Sequence, residues 1–457
     1  MMVNSTVRAA TLACVVAAAW PVVARAQDAP AAPPGFVQPE VSDPMLAPPE
    51  AAPSEIRSWD EAIALIRRSP DYLTSVEAVE RSIAQRRITL AAVLPQLSAA
   101  GSYVHNFNTE AIRLGAADVV TPAPNLWSAT ATASWNVLDL RGLHAVGTAD
   151  RAIAVANLSL AERRRLLASQ IVAAMLATLS AGRVSELDRV GLRTALERLA
   201  LTQTRLSFNR GTALDVDRAQ QDVAAARAQL ISGDEQLRQA REALGQALGS
   251  ATPIAAPASL DLEGFERAVA TTCHLDRTIE QRADIAAARG NVEIAERQIT
   301  EAELRFVPSI ALGSQAGWAS VATLGPKETW SFTALLSVPL FDGGARYGQL
   351  RDARAAAAQA RDTLATLRVD AMIEAARAAR AIGVTSAAHD VAKQQRELAQ
   401  RIDARTREGY AKGVGTSLDL VTSAQALRQA ETNLALLDFQ LAQARAGAVL
   451  ANAECFY

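Results

Sequence analysis

Few side chains in this sequence are placed to do covalent or metal chemistry. His105, His144, His274 and His389 are scattered, with no Cys/His spacing for a metal and no arrangement for nucleophilic catalysis, so each reads as an ordinary surface histidine. Gly343-Gly344 lacks the Lys-Ser/Thr of a phosphate loop and follows an alternating strand. Of three cysteines, Cys14 lies inside an apolar run and is not read as a lipid-attachment site; Cys273 and Cys455 are too far apart to make a disulfide framework. Two carboxylates hold matched positions: Asp215 and Asp419, 204 residues apart, each follow a glycine-containing break and open a helical stretch. From the residues alone, each could simply cap a helix N-terminus. No catalytic residue, metal or cofactor is expected, so the chain does not read as an enzyme.

The elements that position these residues are long. The 457 residues are 50% hydrophobic, only 4% aromatic and 21% charged, and abundant Ala with few aromatics points to long helices more than to compact cores. Lys+Arg total 46 against 48 Asp+Glu, which excludes electrostatic nucleic-acid binding as a default. Arg8, the apolar run 9–23 and Ala24-Arg25-Ala26 resemble a secretory signal, so 1–26 is expected to be a signal peptide and Gln27 the mature start. Removing Arg8 and Arg25 takes the formal charge from −2 to −4. No other stretch reads as a transmembrane helix. Residues 27–54 hold eight prolines among Ala and acidic residues and read as an extended arm.

A first repeat is expected over 55–250. Ser58-Trp59-Asp60-Glu61 reads as a capping box opening a helix that runs through Ile63, Ile66, Leu73 and Ile83 to a stop at Pro95. The period then changes. Trp127, Ala129, Ala131, Ala133 and Trp135 alternate with Ser128, Thr130, Thr132 and Ser134, a two-faced strand, and with 97–107 it suggests a hairpin over 97–138. The stretch between, with Gly115, Pro122 and Pro124, reads as a loop. A proline-free helix over about 142–210 could reach on the order of 100 Å, and a return helix runs to about Gly249. After a linker at 251–275, a second repeat is expected over 276–452, with a hairpin at 309–341, leaving 453–457 as a C-terminal end. Offsets support duplication: Trp330 and Trp127 differ by 203, Asp342 and Asp139 by 203.

An alternating strand fits two settings: half-buried in a soluble sandwich, or facing lipid on one side and a water-filled lumen on the other. Export, four such strands, and a length of roughly ten residues favour an outer-membrane barrel strand. Four strands cannot close a barrel, and an open edge in lipid leaves backbone groups unpaired, so several chains must share one barrel.

These residues resemble the TolC-type outer-membrane factors, exit ducts of tripartite efflux pumps and type I secretion systems. The resemblance spans about residue 58 to 452. It is carried by 57–73 with Asp60-Glu61-Ala62 and Pro70, by Leu94-Pro95-Gln96-Leu97, Arg282-Ala283-Asp284 and Val338-Pro339-Leu340-Phe341-Asp342-Gly343-Gly344, and by the tips 211–220 and 413–425. It implies a mainly α fold with β: antiparallel helical hairpins forming an α-barrel, and four strands per chain in a trimeric twelve-stranded transmembrane β-barrel. Outer-membrane location in a Gram-negative bacterium, a large periplasmic portion and passive conduction follow. So do partners: a homotrimer, a periplasmic adaptor meeting Gly211, Thr212, Gly413, Val414, Gly415 and Thr416, an inner-membrane pump, and outer-membrane lipid. Nucleic acid is not among them.

The resemblance also places Asp419 in a carboxylate ring constricting the periplasmic mouth, with Thr422 where a second ring aspartate would stand. Tyr410 and Asp215 match residues that lock the closed mouth. Gly415 stands where an arginine link would sit, leaving Lys412 as a candidate substitute. Trp127 and Trp330, at equivalent strand starts, could anchor at the lipid interface or serve packing. Cys273 precedes the second repeat and Cys455 follows its last helix, both near mid-height of the duct, where a disulfide and two free thiols remain open alternatives. The competing class is a periplasmic coiled-coil scaffold or adaptor without a pore, which does not explain four matched strands.

Overall fold

The computed structural model describes residues 41–114, 117–257, 262–275, 278–321, 327–451 and 453–455. The expected signal peptide, 1–26, and the first part of the arm lie outside these residues. In chain order the elements are strand β1 (Ser54–Glu55), helices α1 (Trp59–Ile66) and α2 (Pro70–Ala91), strands β2 (Gln96–His105), β3 (Glu110–Leu114), β4 (Ala117–Thr121) and β5 (Asn125–Leu138), and helices α3 (Leu140–Ser207) and α4 (Ala213–Ala247). Past β6 (Ile254–Ala255), α5 (Leu262–Thr272) and β7 (Cys273–Leu275), the programme returns. It runs through α6 (Ala283–Glu303), β8 (Ser309–Ala319), β9 (Glu328–Ser337), α7 (Ala345–Ala411) and α8 (Ser417–Ala451), closing on β10 (Ala453–Cys455).

Two expectations are corrected. The single helix expected from Ser58 to Pro95 is two helices: Pro70 lacks the N–H that would continue α1, and the Ser69 hydroxyl caps α2 by accepting from Tyr72 N at 3.3 Å. The stretch read as a loop between the strands contains the antiparallel pair β3–β4.

The main sheet has the order β2-β5-β8-β9, all antiparallel, and its register separates two chemistries. One face carries cross-strand rows such as Ala99, Ala131, Ala316 and Trp330, or Leu97, Ala133, Ser314 and Phe332. The other carries Ser98, Thr132, Gln315 and Ser331, or Gln96, Ser134, Gly313 and Thr333. The apolar face is uncovered: Trp127 is 58% exposed, Phe332 64% and Trp330 78%. Its hydroxyl at Ser314 is satisfied by Trp330 Nε1 at 2.9 Å. Trp127 and Trp330 share this face but not a row. Trp127 lies beside Tyr103, ring centroids 4.8 Å apart, whereas Trp330 is level with Ala316 and Ala131.

Each hairpin feeds a long helix through an aspartate. Asp139 accepts from Gly142 N at 2.9 Å, and Asp342 accepts from Gly344 N at 3.1 Å and from Arg346 N at 3.0 Å. The second turn needs Gly343 and Gly344, both left-handed (φ 71° and 89°). At 68 and 67 residues, α3 and α7 extend about 100 Å each. The helices form a wall: α2 and α4 flank α3 on one side, α6 and α8 lie between α3 and α7, and α7 is the far edge. Accordingly 18 of the 68 residues of α3 are buried but only six of the 67 of α7. By length and composition α3 could cross a membrane, contrary to the sequence expectation, but half of its most apolar window is buried inside the fold.

The apolar core sits at the middle of α3. Leu167, Ile171, Met175 and Leu176 pack against Trp59 and Ile66 of α1, Phe265 and Val269 of α5, and Leu450 of α8. Arg165 and Arg282 donate to Leu450 O (3.1 Å) and Ala451 O (2.8 Å), the terminal carbonyls of α8, while Glu162, Asp284 and Glu374 balance their charge. β1 pairs with β6, and β10 with β7, setting Cys455 opposite Cys273, where the two sulfurs are bonded at 2.07 Å. The described part of the arm lies on the α3/α4 hairpin. Asp43 pairs with Arg227 at 2.7 Å, Met45 and Leu46 pack on Leu192, Val223 and Leu230, and Arg189 and Arg241 donate to Ala47 O and Glu50 O.

The disulfide closes a loop of 182 residues. Replacing Cys273 with Ser is expected to remove about 2–4 kcal/mol from the stability of the core around α3. The check is a lower urea midpoint for loss of helical signal, reproduced in wild type by reductant.

Candidate functional site at the helix tips

The two hairpins end in turns built from equivalent residues. At the first, α3 leaves through Phe208 and Asn209, and Thr212 caps α4 in a reciprocal box: its hydroxyl accepts from Asp215 N (3.3 Å), and Asp215 Oδ2 accepts from Thr212 N (3.0 Å). At the second, Thr416 and Asp419 repeat the arrangement, with Thr416 N to Asp419 Oδ2 at 3.1 Å and the threonine hydroxyl to the same oxygen at 2.6 Å. The left-handed residues are Gly413 (φ 79°) and Asn209 (φ 54°). Gly211 instead lies against α3 at ordinary contact distance, where a Cβ would be 3.4 Å from Leu206 N. Asn tolerates the left-handed region, so the first turn does not need its glycine there. Thr212, Gly413, Val414 and Thr416 are exposed, and Gly211 and Gly415 are half-buried.

Both aspartates therefore stand third in their helices and close the boxes that Thr212 and Thr416 cap. Asp419 is exposed, and the Thr416 hydroxyl holds its carboxyl below the ordinary range. Asp215 is lowered as well, first by the hydroxyl of Ser417, which donates to it from the other hairpin, then by Thr212. Thr422, one turn after Asp419, is exposed, with its hydroxyl turned back to Leu418 O at 2.9 Å.

Within one chain the residues matched to a lock contact other partners rather than one another. Tyr410 meets Arg205 of α3, whose guanidinium lies 4.2 Å from the ring centroid and donates to Tyr410 O at 3.5 Å. Lys412 pairs with Glu408, four residues earlier on its own helix, and so does not reach Asp215. Arg205 and Ser417 were not singled out in the sequence because nothing local marks them. Nor are all histidines ordinary surface residues: His389 Nε2 lies 2.9 Å from Asp438, linking α7 to α8, and His144 is partly buried 3.6 Å from Glu301 of α6.

Further along the hairpins lies the strongest link between them. The side chain of Asp222 in α4 is 1% exposed and receives three donors: Arg198 of α3 at 2.7 Å, Arg428 of α8 at 2.8 Å and Gln425 of α8 at 3.1 Å. Asp403 of α7, also buried, accepts from Arg407 at 2.7 Å and from Ser423 of α8 at 3.3 Å. The sequence signal for Asp222 was available: it falls on the stripe of Ala219, Val223, Ala226 and Leu230, where a charged residue needs a partner. Among the described residues no group of three His, Cys, Asp or Glu could hold a metal.

The whole arrangement matches known proteins. The outer membrane efflux protein family model covers residues 64–250 and 274–450, the two repeats. Nodulation protein T of Rhizobium leguminosarum bv. trifolii is 24% identical over 380 residues, spanning 81% of this chain and 79% of that one. Two solved structures share the fold. VceC, an outer membrane protein of Vibrio cholerae, superimposes with a TM-score of 0.71 at 19% identity, over 87% of this chain and 96% of its own. The outer membrane channel CmeC of Campylobacter jejuni does so with 0.73 at 15% identity, over 92% and 93%. With both repeats covered by the family model, the chain belongs to the outer membrane efflux protein family and is an outer-membrane exit duct of a Gram-negative cell, its long helices forming a large periplasmic portion.

Proposed function

We propose that three copies of the chain close one barrel and that the duct conducts passively, driven by an inner-membrane pump through a periplasmic adaptor. The observation that carries this is the pair of open edges, β2 and β9, on a sheet whose uncovered face is apolar. In lipid every backbone group needs a partner, so β9 of one copy must meet β2 of the next; three sheets of four give the twelve strands expected of the family. The helical wall has the same open edges. α7, with few buried residues and exposed Val384, Val391 and Leu398 in heptad spacing, is the surface against which the α2 and α4 of the next copy would pack.

In such an assembly the tip residues Gly211, Thr212, Gly413, Val414, Gly415 and Thr416 meet the adaptor. Three copies of Asp419 converge on the mouth, with Thr422 one turn above, and favour cations there. Tyr410, Asp215 and Lys412 act at the closed mouth through the contacts they make: Tyr410 with Arg205, Asp215 with Ser417, and Lys412 only through Glu408. Asp222 supplies the main hold between hairpins, so opening parts α7/α8 from α3/α4. Trp127 and Trp330 meet the lipid interface from the apolar face, and the Cys273–Cys455 bridge fastens the chain's end at mid-height.

Light scattering of the particle extracted from outer membranes, with the detergent contribution removed, is expected to give three chains; a water-soluble single chain refutes the shared barrel. Asp222→Asn keeps shape but weakens charge-assisted bonds worth about 1.5–3 kcal/mol each, so the open-to-closed ratio rises roughly tenfold or more. Single-channel recording in planar bilayers reads this as higher conductance, and a variant indistinguishable from wild type sinks the latch. Asp419→Ala is expected to lower cation preference, measured as a reversal potential moved towards zero in a salt gradient.

A further inference from the structure

Beyond the latch, α3, α4 and α8 line a partly open cavity of about 210 Å³ whose walls include Asp188, Gln229, Gln425, Arg428, Gln429 and Thr432. Asp188 is 8% exposed and takes no hydrogen bond or ion pair from a described residue. Its place is made by Gly233 of α4, where a Cβ would lie 2.6 Å from Asp188 Oδ2. The charged groups facing it are Arg189 of α3, Asp234 of α4 and Arg428 of α8. Both arginines are engaged elsewhere. Arg189 clasps Asp234 at 2.8 and 3.0 Å, and Arg428 gives NH2 to Asp222, leaving its NH1 buried without a partner. Burial, then the charge of Asp234, pushes the Asp188 carboxyl up to about 6 despite them.

We infer that Asp188 is a proton-responsive positioning residue for the mouth of the duct, its ionised carboxylate biasing α8 away from the α3/α4 hairpin. The inference rests on the reading that the mouth opens by parting the two hairpins. An ionised carboxylate in so small a cavity has lost most of its hydration and recovers it when α8 moves off and water enters; a protonated one gains nothing comparable. The closed state therefore binds the proton more tightly than the open one. Closure is favoured in acid, and as pH rises from the ordinary carboxylate range to about 6 the ratio of open to closed rises, by up to about tenfold per pH unit for each copy, then levels off. Asp215 and Asp419 are held below the ordinary range and lose their protons before this window.

The test is conductance of the purified outer-membrane particle in planar bilayers from about pH 4.5 to 7.5, for wild type, Asp188→Asn, Asp188→Ala and Asp222→Asn. Wild type is expected to lose about tenfold or more of its open fraction on acidification. Both Asp188 variants, permanently uncharged, are expected to stay at the low acid level throughout; a merely structural role would loosen the packing and raise conductance instead. A wild type without a pH step, or a step that survives in both Asp188 variants, overturns the inference. Raised conductance in Asp222→Asn, in that event, leaves the parting of hairpins standing, whereas an unchanged Asp222→Asn removes that reading as well.

Discussion

The structure depends on one constraint: a backbone in lipid must pair every N–H and C=O. A sheet of four strands with two free edges does not meet it. The register nonetheless gathers most of the large apolar side chains, Trp127, Trp330 and Phe332 among them, on one face and most of the serines and threonines on the other, a separation of no use to an isolated soluble sheet. On the proposed reading, sharing the barrel among copies resolves the conflict.

Within the wall, duplication has given two similar halves different work. α3 is central, covered by α2, α4, α6 and α8, and carries the equatorial core; α7 is an edge. Helix propensity alone cannot keep 67 or 68 residues in line. Here the equator does so, with aromatic and aliphatic packing, the Arg165 and Arg282 caps on the end of α8, and the disulfide all at one height. The hairpins hang from that fixed girdle, and the arm on α3/α4 ties one of them to it.

Much of this was legible in the sequence. Alternation from Trp127 and from Trp330, offset by 203 residues, disclosed both strands and the repeat, because period-2 patterning is a local property. The α1/α2 break was missed although Ser69-Pro70 spelled it out: an apolar stripe that continues through a break outweighed the missing N–H. The β3–β4 pair had no two-faced pattern to betray it. At the tips, the two capping boxes were readable as Thr212 with Asp215 and Thr416 with Asp419, but the partners of Tyr410 and Asp215 were not. Arg205 and Ser417 lie about 200 residues away in sequence, and only the packing of one hairpin on the other brings them near.

The distribution of bond types along the duct has a mechanical meaning. At the equator the groups removed from water are mainly apolar, and separating them forfeits their full burial. Towards the tips the links between hairpins are carboxylates with an arginine, a glutamine and a hydroxyl: Asp222 with Arg428 and Gln425, and Asp215 with Ser417. A buried ion pair costs much desolvation for what it returns, so its members lose little net free energy if they part into water together. The same pair is unforgiving of a half-made state, since one charge left buried alone is expensive. On the proposed reading that the mouth opens by parting the hairpins, such links define one closed geometry yet leave it in a shallow well, which suits a passive duct opened without unfolding.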